Sequence, residues 1–253
     1  MRKFYGWKKD KVDVRDFKFK VPRHVNLAAL PTAVDLRSQC PAVYDQGELG
    51  SCTANAIAAA IEFEQVRQRL PDFMPSRLFI YFNERDIEGT TDSDSGAEIR
   101  DGIKSVNSLG VCEENLWQYD VSQFAVKPPD LAYQSAKHHE AVQYERLSNS
   151  LTDLKGCLAS GLPFVCGISV YDSFESDAVA ANGVVPLPQP KESLQGGHAI
   201  LIVGYDDSKG VFICRNSWGA DWGMNGYFTL PYAYLTNADL ASDFWVIQLL
   251  TAA

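Results

Sequence analysis

Between Cys52 and about Leu70 the chain reads CTANAIAAAIEFEQVRQRL, and its apolar residues occupy more than one helical face. Ala54, Ile57, Ala58 and Ile61 share one face, while Ala56, Ala60 and Phe63 share another. A helix apolar on more than one face belongs at the centre of a protein. This one also begins on a cysteine, directly after Gly50-Ser51. Unpaired backbone N–H groups and the positive dipole end stabilise an anion at a helix start, which is where a thiol becomes a thiolate. A small apolar residue buried at a helix start is the bland alternative. The choice turns on whether the chain also supplies a base, a group to orient that base, and an oxyanion donor.

The rest of the chain changes character along its length. Pro71 and Pro75 end the central helix, and SRLFIYFNERD starts a second one behind Ser76, a good N-cap. AEIRDGIKSVNSLG repeats the helical spacing with Ile99, Ile103 and Val106, then stops at Gly110. Beyond Pro128-Pro129 only LTDLKGCLASG reads as a short helix. PFVCGISVY, HAILIVGYD, GVFICRN, NGYFTL and DFWVIQLL are rich in Val, Ile and aromatics and are separated by turn residues. The fold class is α+β, a helical half followed by a mostly antiparallel sheet half with a cleft between them. The 253 residues suit one globule of two halves.

The formal charge of −9 argues against nucleic acid as the main ligand. It is unevenly spread, since residues 1–24 hold nine Lys/Arg and three Asp. A basic segment on an acidic body could dock intramolecularly or serve an anionic partner. MRKFYGWKKDKVDVRDFKFK has no apolar core of a secretory signal, so a cytoplasmic location or leaderless export is expected. No apolar run approaches the length of a membrane span. The six cysteines form no C-x-x-C pair and no zinc-like spacing with the four histidines, so neither metal nor cofactor is expected. Cys166 and Cys214 lie in strand-like apolar runs, where core packing is their default.

Of the histidines, His24 sits in the basic segment, and His138 and His139 fall in a polar helix, AYQSAKHHE, where solvation is expected. His198 opens an apolar strand in GGHAILIVGYD, so its ring can face a cleft while the strand behind it is fixed. A thiol nucleophile needs an imidazole within hydrogen-bond reach, and that imidazole needs an acceptor to orient it. Asn216 follows the next strand, and adjacent antiparallel strands bring it beside His198. Trp218 and Trp222 come next, and an indole over the His–Asn contact would exclude water. Gln46, six residues before Cys52, has an amide N–H that could stabilise an oxyanion.

QGELGSC, GGHAILIVGY and RNSWGADWGMNGY resemble the active-site blocks of papain-like cysteine proteases, and the likeness runs from residue 30 to about 250. GSCTANA is similar to the block of bacterial members such as xylellain. The resemblance implies a two-lobed papain-like fold and hydrolysis of protein or peptide substrates through a thioester. In it Cys52 is the nucleophile, His198 the acid/base, Asn216 its orienter and Gln46 the oxyanion residue. It implies a thiol pKa of roughly 3–4, the papain family's figure rather than one derived from this chain. An acyl transferase or deamidase would use the same thioester, and a non-catalytic peptide-binding module is a further alternative.

The same resemblance places Ser95, Gly96, Gly197, Trp218, Trp222, Ser242 and Asp243 along the substrate cleft. Ser95-Gly96 would pair with extended substrate backbone. Ser242-Asp243 would border the pocket for the second side chain before the scissile bond, where an acid would favour basic side chains. TDSDSG read alone is a solvated acidic turn or a calcium loop, and the latter lacks its final glutamate. The family usually pairs a cysteine at the position of Leu49 with one near Ser93–Ser95, so that disulfide is expected to be missing, and Thr53 replaces an aromatic. The catalytic domain is expected over 30–253, with a helical lobe at about 50–125 and a β lobe at about 30–49 and 126–253. Residues 1–29, with Tyr5, Trp7, Phe17 and Phe19 as anchors, would cover the cleft or support the fold.

Overall fold

The computed structural model describes residues 4–139 and 141–250, so Arg2 and Lys3 of the basic segment lie outside the described residues. Helix α1, Cys52–Gln68, is the central element, and every side chain from Cys52 to Gln65 is buried. It packs on α2 (Arg77–Glu88) and α3 (Ile99–Leu109) to one side and on the sheet to the other. Several of its polar residues survive burial because neighbouring side chains supply partners. Glu62 accepts from the Tyr44 hydroxyl, and Glu64 takes the Arg67 guanidinium at 2.6 Å. Thr53 donates to Glu84 Oε1 at 2.6 Å, so the residue replacing the family's aromatic ties α1 to α2. Burial holds the Glu84 carboxyl well above its usual range.

The expected N-cap of α2 is formed, with Ser76 Oγ accepting from the Phe79 N–H at 3.1 Å. Gly110, at φ 75°, ends α3. The polar stretch around His138 departs from the sequence reading. Helix α4 spans Asp130–Ala136 and both histidines lie past its end. The His139 ring meets Phe73 at 4.5 Å, and burial lowers its pKa. Tyr133 on α4 donates to Asn83 of α2 at 2.9 Å, so this short helix packs on the helical side.

Two strands of the first hundred residues matter for the site: β1, Trp7–Lys8, and β3, Ala97–Glu98, which pair in parallel. The large sheet uses β2 (Ala33–Asp35), β4 (Ala141–Arg146), β5 (Phe164–Tyr171), β6 (Leu194–Asp206), β7 (Val211–Arg215), β8 (Tyr227–Pro231) and β9 (Ala241–Leu250). Its order is β4-β9-β5-β6-β7-β8, with β2 alongside β6. Helix α5, Leu151–Ala159, leads into β5, while α6 (Asp177–Asn182) and α7 (Tyr232–Thr236) cover the sheet's connections. Long β6 pairs antiparallel with β5, β7 and β2, and His198 near its start lies opposite Ile168 of β5, three residues before the pairing with β7 begins at Leu201.

All six cysteines are free thiols. Leu49 is buried where the family's cysteine would stand, and Asp94 supplies the tie between the two loops. Its carboxylate accepts the Gly50 N–H at 3.0 Å and the Tyr81 hydroxyl. Among the described residues no helix is long and apolar enough to cross a membrane.

Gly102 of α3 tests how tightly the helices pack. A Cβ there would meet Glu84 Oε2 at 2.4 Å and Ile57 Cδ1 at 2.5 Å. In an open helix Gly→Ala gains up to about 1 kcal/mol. Here Gly102→Ala is expected to reverse that sign and cost about 1–3 kcal/mol, read as a melting temperature lowered by roughly 3–10 °C. A higher melting temperature would mean that α2 and α3 are looser than described.

Candidate active site

Helix α1 is apolar all round and must lie against the sheet, so its first residue meets the start of β6. The backbone N–H groups of Ala199, Gly6 and Thr53 lie by the Cys52 sulfur and favour its anion. Ala199 is the neighbour of His198, and both Cys52 and His198 are fully buried. His198 Nε2 lies 2.8 Å from Asn216 Oδ1. An amide oxygen can only accept, so Nε2 carries the proton and Nδ1 is the nitrogen for the thiol side. The same oxygen accepts the Ser217 N–H at 2.9 Å, which fixes the amide. Register between β6 and β7, Leu201 opposite Arg215, produces the pairing expected from sequence.

Trp218 stacks on the His198 ring at 4.9 Å, as a cover for the His–Asn contact requires. Trp222 sits one layer back, edge-on to Trp218 at 5.1 Å and packed against Phe174 and Phe228. Gln46 is buried, and its amide nitrogen donates to Leu49 O at 2.9 Å and to Phe4 O at 3.1 Å. Its oxygen accepts the Ser217 hydroxyl at 2.6 Å, so Ser217 braces Asn216 and Gln46 together. Sequence reasoning missed Ser217, for which the only available signal was its place after Asn216.

The remaining sequence-predicted positions gather around residues 5–10. A Cβ on Gly96, at φ 66°, would lie 1.9 Å from Gly6 O, and Ala97 N donates to that oxygen at 2.7 Å. Ser95 Oγ receives Lys8 Nζ at 3.3 Å. Tyr5 meets the His198 ring edge-on at 6.0 Å. Gly197 would place a Cβ 2.5 Å from Trp7 O. Asp243 accepts the Trp7 indole N–H at 3.2 Å and the Asp10 N–H at 2.8 Å. Ser242 pairs with Gly167 in the β5–β9 register.

Burial dominates the electrostatics of this arrangement. It pushes the Cys52 thiol up to about 11, and the three N–H groups offset only part of that rise. With Gly6 over the sulfur, burial opposes the thiolate that the helix start and a charged imidazole favour. Water exclusion raises the cost of the anion above what the local donors return.

A family model described as papain family cysteine protease matches residues 30–245. The chain belongs to the papain family of cysteine proteases. It is similar to xylellain, a cysteine protease from Xylella fastidiosa, at 47% identity and a TM-score of 0.90, over 96% of this chain and 95% of that one. An uncharacterized peptidase C1-like protein of Acanthamoeba polyphaga mimivirus is 43% identical, over 98% of this chain and 87% of the relative. Cysteine proteinase 3 of Entamoeba histolytica is 30% identical over 80% of this chain, which spans 63% of that relative's length. The named relatives are peptidases, which does not favour the acyl-transfer or non-catalytic alternatives. The papain-like two-lobed fold and the cysteine protease class expected from sequence both hold.

If Gly6 and Trp7 are what seal the sulfur, loosening them should expose it. Labelling of Cys52 by iodoacetamide at pH 7, followed by peptide mass spectrometry, is expected to be at least tenfold faster in Trp7→Ala than in the unaltered chain. Equal rates would assign the raised thiol pKa to the body of the protein instead.

Proposed function

We propose that this papain-family protease is an endopeptidase in which Cys52 attacks the peptide carbonyl, His198 moves the proton and Asn216 orients the ring. The Cys52 thiol gives its proton to Nδ1 of His198 as sulfur bonds to the carbonyl carbon. The imidazolium then protonates the leaving amine, and water, deprotonated by the same ring, releases the acid. Gln46 Nε2 is the oxyanion donor, and the observation that carries this reading is its bond to the Phe4 carbonyl beside Cys52. A peptide carbonyl already occupies the donor's open direction. Loss of the nucleophile in Cys52→Ala, or of the base in His198→Ala, is expected to abolish peptide turnover. Gln46→Ala is expected to lower kcat by about 10²–10³. Asn216→Ala should cost less than His198→Ala. Full turnover in Cys52→Ala would end the reading.

Residues 4–16 serve, in this reading, as a built-in plug of the cleft, and residues 30–253 as the catalytic domain. The support lies in how the segment is fastened. Arg100 binds Asp16 at 2.6 Å, and Arg146 binds Asp16 at 3.2 Å, Asp10 at 3.4 Å and Asp243 at 2.6 Å. Trp245 Nε1 donates to Asp10 at 2.8 Å, and the Arg100 N–H reaches it at 3.2 Å. Three carboxylates thus face two guanidinium groups, an excess of one negative charge in a buried site. Burial first, then the Asp243 charge, raises the Asp10 carboxyl to about 7, from the usual 3.8.

The sign of that rise sets the pH dependence. Seated, Asp10 keeps its proton up to about pH 7, whereas released it loses the proton near its ordinary value. Seating therefore takes up a proton, is firmest below that ordinary value, and weakens as pH rises through about 7. Turnover in the unaltered chain should climb between about pH 5 and 8 more steeply than in Asp10→Asn, which cannot ionise. Parallel profiles would remove Asp10 from the latch. Separately, unchanged kinetics after deletion of residues 1–28 would leave the segment only a supporting arm.

A further inference from the structure

The pocket occupied by Trp7 points to the side-chain class that the cleft selects, an inference that rests on the peptidase reading above. Its walls are made by missing side chains. A Cβ on Gly167 of β5 would lie 1.9 Å from Trp7 Cε2 and 2.3 Å from Cζ2, and one on Gly197 would lie 2.8 Å from Cε3. No other residue type at these two positions leaves room for the indole. At the floor, Asp243 directs Oδ2 at the indole N–H, 3.2 Å away. Asp243 is 1% exposed and holds a left-handed backbone at φ 58°, a conformation that a non-glycine residue keeps at a cost.

The charge at the floor decides between a cationic and a neutral guest. Asp243 Oδ1 is already engaged by Arg146 at 2.6 Å. When residues 4–16 leave, Asp10 and Asp16 go with them, and Asp243 remains paired with Arg146. The floor then carries one carboxylate already paired with one guanidinium, so it has no excess negative charge to draw a cationic guest. That removes the preference for basic side chains expected from the acidic residue alone. Oδ2 simultaneously loses both of its donors, Trp7 Nε1 and the Asp10 N–H. A guest that fills the slot excludes water from Oδ2, and one bringing a neutral N–H or O–H keeps that oxygen paired.

We propose that this slot, walled by Gly167 and Gly197 and floored by Asp243, selects peptides carrying a tryptophan, and next a tyrosine, at the position that enters it. The test uses the full-length chain with Trp7→Ala to empty the slot, Asp10→Ala and Asp16→Ala to release residues 4–16, and Cys52→Ala to separate binding from chemistry. Acetylated tetrapeptides that differ only at the second residue before the scissile bond are titrated calorimetrically. Tryptophan is expected to bind at least tenfold tighter than arginine or leucine. 1-Methyltryptophan, which keeps the ring and loses the N–H, should be weaker than tryptophan by about tenfold. Adding Gly167→Val should abolish the tryptophan advantage relative to alanine peptides. The tryptophan and 1-methyltryptophan comparison uses one protein, so a folding defect in the valine variant cannot mimic its result.

Tighter binding of arginine or leucine, or equal binding of the two indoles, overturns the proposal. Turnover of the same peptides by the same chain with Cys52 intact is read alongside. Selective binding without turnover would sink the peptidase reading and leave the slot standing. Turnover without selectivity would do the reverse.

Discussion

Helix α1 can be buried only by being surrounded, because it has no face to offer to water. Its first fourteen residues are all inside, against two helices on one side and the sheet on the other. That constraint brings the helix N-terminus to the beginning of β6, and so brings Cys52 to Ala199 and His198. Everything chemical in the site inherits its position from this wedge. The polar residues buried along it are tolerated because neighbouring elements supply partners, Tyr44 for Glu62 and Thr53 for Glu84. Each such pair also fixes the helix against sliding, which a purely apolar contact would permit.

The same burial that positions the thiol also quiets it. Removing water from around sulfur raises the energy of the anion more than three backbone donors lower it. In this protein the covering is done by the chain's own residues, with Gly6 over the sulfur, the Phe4 carbonyl on the Gln46 amide and Trp7 between two glycines. The segment runs parallel to β3, so its backbone satisfies a cleft edge as an extended peptide would. Fastening comes from charges set farther along, where Asp10 and Asp16 meet Arg100 and Arg146. With Asp243 the carboxylates number three against two guanidinium groups, so a proton on Asp10 is part of the contact.

Much of the local structure was legible. Apolar periodicity located α1, α2 and α3, Ser76 marked an N-cap and Gly110 a stop, and β-branched runs between turn residues marked the long strands. The proposed catalytic residues Cys52, His198, Asn216 and Gln46 were chosen where chemistry demands residue types in order along the chain, and the structure adds the His198–Asn216 contact. Ser217 was not, because a serine after an asparagine has many ordinary roles. Asp94 was hidden in an acidic turn that suggests solvent or calcium, yet its carboxylate bridges the Gly50 loop and Tyr81 of α2. Histidines 138 and 139 were misplaced into a helix because polar sequence cannot report a Phe73 ring arriving from elsewhere.

What the sequence determined alone is the set of parts: an all-round apolar helix starting on a thiol, strands in the order that sets a histidine beside an asparagine, and a basic segment ahead of them. Periodicity and turn chemistry act over a few residues, so they are written locally. Tertiary structure decided the state of those parts. Whether Cys52 is a thiol or an anion, and whether Asp243 invites a cation or a neutral donor, depends on which distant groups share the same dry space. Desolvation and charge pairing act through space rather than along the chain, so residues as far apart as Trp7, Arg146 and Asp243 set the answer together.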